Sequence, residues 1–293
     1  MSSCVIVIPV HSASPSANEL LSFRQCFSIL KAHPVRVLAP QNLNMEKYRA
    51  AVAHFEIIFI DPAWQSSLLQ YNQLKVSPFF YALFKEYDYL LTYELDAFVF
   101  RDELEYWCKK KLDYIGAPWF EGYASPTSQR IKGVGNSGFS LRNINSCRRI
   151  LKRTQSLKKT RSYWFKYYLQ AAWGFENMIK RFKNYFHLRS GEALKKLMFN
   201  SDYNEDIFWA EAVPAAFIDF NIASQADAVK FSFDVNPSLL YQMNNQQLPF
   251  GCHAWFKDEL PYTGNLEFWA PIIEKKMGFK IEDKIRESGK PAK

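Results

Sequence analysis

The sequence lacks the long apolar segments that cross membranes. No window reaches the roughly 18 uncharged apolar residues that a membrane-spanning helix needs. The amino terminus also lacks the basic n-region of a signal peptide, and its apolar run, Val5–Ile8, is short and β-branched. This start predicts a first strand rather than a secretion signal.

Cysteine is too sparse and too scattered to form a framework. The chain has five cysteines, an odd number, and none forms a C-x-x-C pair: Cys4, Cys26, Cys108, Cys147 and Cys252. This usage argues against both a disulfide scaffold and a cysteine zinc site. It predicts a reducing compartment, and we therefore expect a cytoplasmic protein.

Acidic residues are nearly missing from one segment. Between Arg148 and Asn200 the chain has 14 Lys/Arg against two acids, Glu176 and Glu192, a net charge of +12. Because the whole chain carries +8, the remainder carries −4. The protein is therefore mildly acidic outside one strongly basic segment, and that segment bears more directly on its partners than the overall pI does.

Strand and helix patterns alternate along the first part of the chain. Five segments carry the alternation: strand Cys4–Val10, helix Asn18–Lys31, strand Val35–Pro40, helix Met45–Ala53 and strand Phe55–Ile60. This βαβαβ order predicts a parallel sheet with helices on both faces. Ligands bind such sheets outside the carboxyl ends of the strands. Further along, Asp113–Trp119 predicts one more strand and Glu121–Lys132 a loop.

Two carboxylates interrupt the end of a buried strand pattern. Glu94 and Asp96 follow the apolar run Tyr87–Thr92 at spacing i, i+2, which places both side chains on one face of an extended strand. Converging carboxylates raise each other's pKa and oppose burial unless a cation lies between them. A cation that prefers oxygen ligands, Mg²⁺ or Mn²⁺, would remove the conflict. The alternative is a strand end whose acids reach solvent or pair with Arg101.

Four segments occur in an order that resembles a known class of enzyme: Thr92–Phe98, the glycine-rich Gly133–Asn143, Asn204–Trp209 and Gly251–Trp255. Together they resemble a GT-A-fold, nucleotide-sugar-dependent glycosyltransferase, and in particular the small bacterial and fungal family long catalogued as a domain of unknown function. The resemblance extends from Val5 to about Trp255, apart from the basic segment. It implies an α/β fold with a GT-A-like, Rossmann-type, mostly parallel sheet flanked by helices.

The resemblance also implies a domain organisation. Residues 1–270 would form a single catalytic domain, with a nucleotide-binding half at about 1–120 and an acceptor half at about 133–270. Residues 150–200 would form a basic, aromatic helical insertion, and residues 280–293 a frayed tail.

The resemblance assigns a metal site to three of these residues. Glu94-Leu95-Asp96 stands at the D-x-D position, where Glu replaces the first Asp. Asp96, Glu94 and His253 would hold Mn²⁺ or Mg²⁺, and Glu94 could instead reach the ribose or a bridging water. The cation would neutralise the diphosphate as it leaves. Outside this pattern of motifs, a lone histidine such as His253 is more often structural than a metal ligand.

Donor binding and catalysis fall to further residues. By resemblance the donor site would contain Pro9, Val10, His11, Ser12, Lys75, Glu94, Gly135, Asn136, Ser137 and Gly138. Lys75 would face the donor phosphates, unless it is a solvated helix lysine. Asp206 would be the catalytic base, with Glu205 hydrogen-bonding the acceptor or donor sugar. Asn204 and the two acids could also simply form a favourable helix start.

The basic segment has several possible partners. Residues 152–196 interleave Lys and Arg with Trp, Tyr and Phe, a composition that suits an anionic membrane surface, where each basic residue contributes on the order of 1 kcal/mol. It could also cradle an anionic glycan, or pack its aromatics on the domain and solvate its lysines. Nucleic acid is not expected, because no nucleic-acid-binding motif accompanies it.

The resemblance therefore implies a metal-dependent glycosyltransferase of the hexosyltransferase type, with inversion favoured. Its donor would be a nucleotide-diphosphate sugar and its acceptor a glycan hydroxyl, lipid-linked if the protein is peripheral on the inner membrane, in bacterial surface polysaccharide (O-antigen or capsule) synthesis. One rival is a nucleotidyltransferase, although His11–Asn18 lacks the glycine- and basic-rich loop that such enzymes place after the first strand. The other is a non-catalytic glycan- or membrane-binding module.

Overall fold

The computed structural model describes residues 3–122, 129–156, 204–278 and 281. Most of the predicted insertion 150–200 and of the predicted tail 280–293 lies outside these residues, as do positions 123–128 of the predicted loop. Among the described residues, no helix is long and apolar enough to cross a membrane.

The largest sheet that the structure describes has six strands in the order β3-β2-β1-β4-β9-β6. Their bounds are β1 Cys4–Pro9, β2 Val35–Pro40, β3 Glu56–Ile60, β4 Tyr89–Tyr93, β6 Tyr114–Ile115 and β9 Phe139–Asn143. The first four are mutually parallel where they pair, and β9 runs antiparallel to both β4 and β6. The prediction of a mostly parallel sheet flanked by helices is confirmed.

Helices connect the strands and cover both faces of the sheet. In the first part of the chain they are α1 Ala17–Ile29, α2 Glu46–Ala51, a 3₁₀ helix Pro62–Gln65, α3 Leu68–Lys75, α4 Pro78–Ala82, α5 Leu104–Lys109 and α6 Ile144–Ser156. In the second part, α7 Glu205–Ile207 continues through a π-helical turn, Phe208–Ala212, into α8 Val213–Ala216, followed by α9 Gln225–Phe231, α10 Pro237–Met243 and α11 Asn265–Met277.

Local sequence explains where the first helices begin. At α1 the Ser16 hydroxyl accepts from the Glu19 amide at 3.2 Å, and the Glu19 carboxylate accepts from the Ser16 amide at 2.6 Å. This reciprocal capping box satisfies two backbone donors of the first turn. At α4 the Ser77 hydroxyl caps the Phe80 amide and Pro78 occupies the first helical position, which separates α4 from α3.

The sheet separates two apolar cores. Alternate residues of β1 point to opposite faces, so that Ile6 and Ile8 enter one core while Val5 and Val7 enter the other. Because both faces are covered, all six residues of β1 are buried, and the strand reads as a continuous apolar run.

Two smaller sheets attach to this framework. The three-stranded sheet contains β5 Phe98–Val99, β10 Ser232–Phe233 and β11 Gly251–Cys252. The two-stranded sheet contains β7 Ala117–Phe120 and β8 Ile131–Gly135. The single strand predicted at Asp113–Trp119 is therefore wrong: it divides at Gly116 between the main sheet and the two-stranded sheet. A side chain at Gly116 would lie 2.5 Å from the Asn136 backbone nitrogen, so only glycine permits the close approach there. The predicted loop ends earlier than expected, because β8 begins at Ile131.

Candidate active site

Parallel pairing brings the ends of β1 and β4 to one edge of the sheet. Val7 pairs with Thr92, so Pro9 lies level with Glu94 two residues later. Beyond β4 the chain turns tightly: the Ala97 amide donates to the Glu94 carbonyl at 2.9 Å, and the Glu94 amide donates to the Gly138 carbonyl at 2.8 Å. This turn places Glu94 and Asp96 at the carboxyl edge, next to the glycine-rich segment.

Glu94, Asp96 and His253 converge on one point at this edge. Their ligand atoms all lie within 4.8 Å of one another. The His253 Nε2 atom is 3.1 Å from Asp96 Oδ1 and 3.8 Å from Glu94 Oε2. The alternative partner, Arg101, is engaged elsewhere, because its guanidinium contacts Glu103 and donates to the carbonyls of Leu248 and Pro249.

The three-stranded sheet carries His253 to this position. The His253 amide donates to the Phe233 carbonyl at 2.9 Å, which extends the pairing of β10 with β11 by one step. The same register places Asp234, the residue after β10, beside the imidazole, where Asp234 Oδ1 lies 2.9 Å from His253 Nδ1. The side-chain nitrogen of Asn136, Nδ2, lies 3.3 Å from the same ring nitrogen, His253 Nδ1.

Gly138 makes room for the histidine. A β-carbon built at Gly138 would overlap the Cδ2 and Nε2 atoms of His253 and would lie 3.0 Å from Glu94 Oε2. The glycine is therefore required by the close approach of the metal-ligand candidates to the backbone. Of the glycines in the predicted donor segment, Gly135 is constrained in a different way, because its β-carbon would overlap the indole of Trp119.

The residues fit a divalent cation. His253 Nε2 is buried and makes no hydrogen bond to any residue that the structure describes, although it faces two carboxylates. Burial alone lowers the pKa of His253, but the charge of Asp96 and the hydrogen bond to Asp234 outweigh it and hold the pKa well above its ordinary value. A site that attracts a proton this strongly between carboxylates also suits a metal ion, and one imidazole with two carboxylates is a ligand set for Mn²⁺ or Mg²⁺.

Lys75 lies beneath the cluster rather than in solvent. Its side chain is fully buried, and its ammonium contacts Glu94 Oε1 at 3.1 Å and Glu205 Oε1 at 3.2 Å. It also donates to the carbonyl and hydroxyl of Ser137, at 2.8 and 2.7 Å. Four oxygen atoms thus surround the ammonium, which has three protons to donate. This placement excludes the solvated-lysine alternative and leaves the ammonium without a free proton for the donor phosphates that the sequence led us to expect.

Lys75 also lowers the pKa of its carboxylate partner Glu94. Burial raises the pKa of Glu94, but the charges of Lys75 and His253 together with the Tyr71 hydroxyl, which donates at 2.8 Å, bring it well below the ordinary value. Glu94 is therefore an ionised carboxylate at neutral pH, as a metal ligand must be.

Glu205 is held by a buried ion pair. Arg142 donates from both terminal nitrogens to its two carboxylate oxygens, each at 2.7 Å, and both side chains are fully buried. Burial raises the pKa of Glu205, but Arg142 and then Lys75 outweigh it, so the group is ionised. The sequence assigned Glu205 to a sugar hydroxyl, whereas in the structure both of its oxygens already have protein partners.

Asp206, the next residue, is in a different electrostatic environment. It is buried, and it forms no ion pair within the described ranges. Burial and the neighbouring charge of Glu205 raise the pKa of Asp206 to about 7. Asn204 does not cap this helix through its side chain; its amide oxygen accepts from Asn72 at 3.3 Å instead. The helix-start alternative therefore explains these residues less well than the sequence suggested.

The predicted nucleotide pocket lies at the same sheet edge. Pro9 and Val10 are buried, His11 is exposed and Ser12 is partly exposed. The Ser12 carbonyl accepts from the Tyr48 hydroxyl at 3.0 Å, and its side chain accepts from the Ser14 amide at 3.0 Å, which fixes the loop after β1.

Sequence reasoning missed Asp234, Arg142 and Tyr71. Asp234 directly follows the two-residue strand Ser232–Phe233, as Glu94 directly follows β4, and could have been noticed on that basis. Arg142 is a single cation in the buried strand Phe139–Asn143, and such a residue needs a buried anion. No local signal identifies Tyr71, whose partner Glu94 lies in another element.

Several solved structures are similar to the chain over most of its length. Mouse xyloside xylosyltransferase 1 in its apo form is 10% identical, with 86% of this chain and 97% of that protein covered at a TM-score of 0.45. The galactosyltransferase LgtC, solved with donor and acceptor sugar analogs, is 14% identical, with 97% and 99% covered at 0.44. Core-mannan synthase A of Aspergillus fumigatus, in its Mn/GDP form, is 9% identical, with 76% and 72% covered at 0.44.

No curated protein matches the chain. One family model does, over residues 54–253, which is more than half of the sequence and includes Lys75, Glu94, Asp96, Asp206 and His253. The chain belongs to that family, which is described as a protein of unknown function, DUF5672.

Proposed function

We propose that this protein is a metal-dependent glycosyltransferase that moves a sugar from a nucleotide-diphosphate donor to a glycan hydroxyl. The observation that carries the proposal is the meeting of Glu94, Asp96 and His253 at the carboxyl edge of a mostly parallel sheet. Lys75 joins Glu94 to Glu205, the neighbour of the buried carboxylate Asp206. A diphosphate leaving group and an acceptor hydroxyl together need a cation and a base, and this edge offers ligands for the first and a candidate for the second.

The charge balance of the buried cluster supports a divalent cation. Lys75 and Arg142 are its fixed cations. They pair with Glu94 and Glu205, whereas Asp96 lies against His253 Nε2 at 3.1 Å. When His253 is neutral, these three carboxylates carry one negative charge more than the two cations, and a divalent ion would compensate it.

Asp96, Glu94 and His253 Nε2 would hold the ion, with Mn²⁺ or Mg²⁺ both suited to this ligand set. The bound ion would supply positive charge for the diphosphate as it departs. The loop Pro9–Ser12 lies at the same edge, where it can line a base and ribose pocket. Gly135–Gly138 adjoins the cluster, where its backbone can approach the donor sugar.

Asp206 would act as the general base. In the reaction the acceptor oxygen forms a bond to the anomeric carbon, the bond from that carbon to the diphosphate oxygen breaks, and the hydroxyl proton passes to an Asp206 oxygen. A pKa of about 7 suits this task, because a base is most effective when its pKa is near the working pH. Direct attack of this kind inverts the anomeric configuration, which is the outcome we favour.

Lys75 and Glu205 would position these groups rather than touch the sugar. Lys75 links the metal ligand Glu94 to Glu205, and Arg142 holds Glu205 from the other side. These contacts would hold α7, which carries Asp206, in a fixed position relative to the proposed metal ligands. We further propose that the acceptor is lipid-linked, that residues 152–196 contact an anionic membrane surface, and that the enzyme acts in surface polysaccharide synthesis. Residues 157–203 lie outside the described part of the chain.

The proposal is tested by incubating the purified protein with a panel of nucleotide sugars, with Mn²⁺, with Mg²⁺ and with chelator. We expect a metal-dependent release of nucleoside diphosphate from one class of donor, increased by a suitable glycan. The Asp96→Ala variant should lose this release, whereas Asp219→Asn, a surface change, should retain it. Release that survives both chelator and Asp96→Ala would refute the metal-dependent mechanism.

A further inference from the structure

We propose that Asp234 is a positioning residue for the metal centre, which fixes the tautomer and orientation of His253. This inference rests on the metal site of the proposed function. Asp234 itself does not reach the point where Glu94, Asp96 and His253 converge; its carboxylate contacts the far side of the imidazole, at Nδ1. Its contribution would therefore be to leave Nε2 with a free lone pair directed at the other two ligands.

The backbone holds Asp234 and His253 in a fixed relation. Phe233 pairs with Cys252 in the sheet, so each of the two residues directly follows a paired position. Asn265, fully buried at the start of α11, donates to the Asp234 carbonyl at 2.7 Å and to the Ala254 carbonyl at 3.1 Å. One amide thus ties together the two segments that carry the carboxylate and the imidazole.

Two groups compete for His253 Nδ1, and the carboxylate decides the tautomer. The Asn136 side chain presents its NH₂ at 3.3 Å, since its oxygen accepts from the Phe139 amide at 2.6 Å. The Asp234 oxygen is nearer, at 2.9 Å, and ionised acceptors form hydrogen bonds roughly twice as strong as neutral ones. Nδ1 therefore carries the proton and donates it to Asp234.

The protonation of Nδ1 determines what Nε2 can do. When a metal occupies the site, the imidazole is neutral, so a proton on Nδ1 leaves Nε2 bare. Nε2 is buried, is directed at Asp96 and Glu94, and has no hydrogen-bond partner among the described residues. Carboxylates placed behind a ligating histidine in this way typically change metal affinity about 10- to 100-fold when they are removed.

The test measures metal binding without any sugar. Mn²⁺ alone is titrated into the full chain, and free Mn²⁺ is read from its electron paramagnetic resonance signal. We expect Asp234→Ala to raise the Kd for Mn²⁺ by about 10- to 100-fold. Asp234→Asn should have a smaller but measurable effect, because its amide oxygen can still accept from Nδ1. Asp227→Asn, which removes a surface partner of Lys110, should bind as the parent does.

A second readout reports the tautomer itself. With ¹⁵N-labelled histidine and Zn²⁺ as a diamagnetic probe, we expect His253 of the parent protein to show a protonated Nδ1 and a metal-bound Nε2. That signature should be retained in Asp234→Asn and lost or mixed in Asp234→Ala. If Asp234→Ala does not fold, which thermal unfolding without metal would show, Asp234→Asn carries the comparison.

The outcomes separate the inference from the proposed function. If the parent binds Mn²⁺ and the folded Asp234 variants bind it equally well, Asp234 has no positioning role while the proposed function stands. A protonated Nε2 with metal on Nδ1 would also overturn the inference. If the parent does not bind Mn²⁺ at all, both the inference and the metal-dependent function fail.

Discussion

Asp206 and Glu205 are adjacent residues with opposite electrostatic environments. Glu205 has two cationic partners and a lowered pKa, whereas burial and Glu205 raise the pKa of Asp206 to about 7. We therefore predict that kcat/KM rises with pH through about 7, as Asp206 loses its proton. Asp206→Asn should reduce kcat by about 10²- to 10⁴-fold, the usual contribution of a general base. An unchanged pH profile and rate in Asp206→Asn, relative to Asp219→Asn, would remove Asp206 from the reaction.

The same carboxylate should destabilise the fold at high pH. The folded state binds the Asp206 proton more tightly than the unfolded state, whose pKa is near the ordinary 3.8. The ionised Asp206 carboxylate therefore does not reduce the free energy of unfolding below about pH 4, and the reduction grows as the pH rises to about 7. The difference between the two values corresponds to on the order of 4 kcal/mol. Asp206→Asn should be more stable than the parent in urea unfolding at pH 8, and the gain should vanish near pH 4.

Gly138 has no room for a side chain. We predict that Gly138→Ala displaces His253, weakens Mn²⁺ binding and lowers the free energy of unfolding by about 1–3 kcal/mol, the usual cost of overpacking. The matched control is Gly133→Ala, where the added β-carbon would make an ordinary 3.6 Å contact with Trp119. Equal Mn²⁺ titrations for the two variants would show that the space at Gly138 is not needed.

The sequence predicts some of these residues far better than others. Glu94 and Asp96 could be singled out because their spacing and the preceding strand are local features, and their convergence with His253 was expected from the order of motifs. The role of Lys75 could not be predicted, because its partners Ser137 and Glu205 are 62 and 130 residues away in the chain. Only the fold shows that four oxygens already surround its ammonium.

At the level of elements, α3 connects the candidate metal ligand Glu94 to the helix that carries Asp206. Lys75 ends α3, bonds Glu94 after β4 and bonds Glu205 at the start of α7. Asn72, one turn earlier, accepts from the Glu205 amide at 3.2 Å. Together with Arg142, α3 therefore helps to fix the start of α7 relative to Glu94.

We predict that Lys75→Met lowers the free energy of unfolding by about 3–5 kcal/mol, because it leaves buried carboxylates without their cation. Lys110→Met is the control, since Lys110 forms a partly exposed pair with Asp227 at 2.9 Å and should contribute less than about 1 kcal/mol. Urea unfolding of the two variants provides the comparison. Losses of similar size would mean that Lys75 is not the structural cation of the cluster.

The elements themselves were partly predictable. The βαβαβ pattern gave β1, β2 and β3 nearly to the residue, because period and composition are local. The division of residues 113–119 between two sheets could not be predicted, because it depends on the packing of the Gly116 backbone against Asn136, which lies 20 positions later in the chain. Pairing of β10 with β11, which carries His253, also joins segments that no local pattern connects.

For the molecule as a whole, the candidate site joins the two predicted halves of the chain. Glu94 and Asp96 come from the first half, and Gly138, Asp206 and His253 from the second. Between them lie the buried cations Lys75 and Arg142, which pair with Glu94 and Glu205. The proposed divalent ion and diphosphate would therefore lie where the two halves meet.

The most direct measurement is anomalous scattering from crystals grown with Mn²⁺ and a nucleoside diphosphate. The account predicts a manganese peak bounded by Asp96, Glu94 and His253 Nε2, with the diphosphate on its open side and the nucleoside toward Pro9–Ser12. A nucleotide bound elsewhere, or a cluster that stays closed by direct contact of His253 with Asp96 at saturating Mn²⁺, would contradict it.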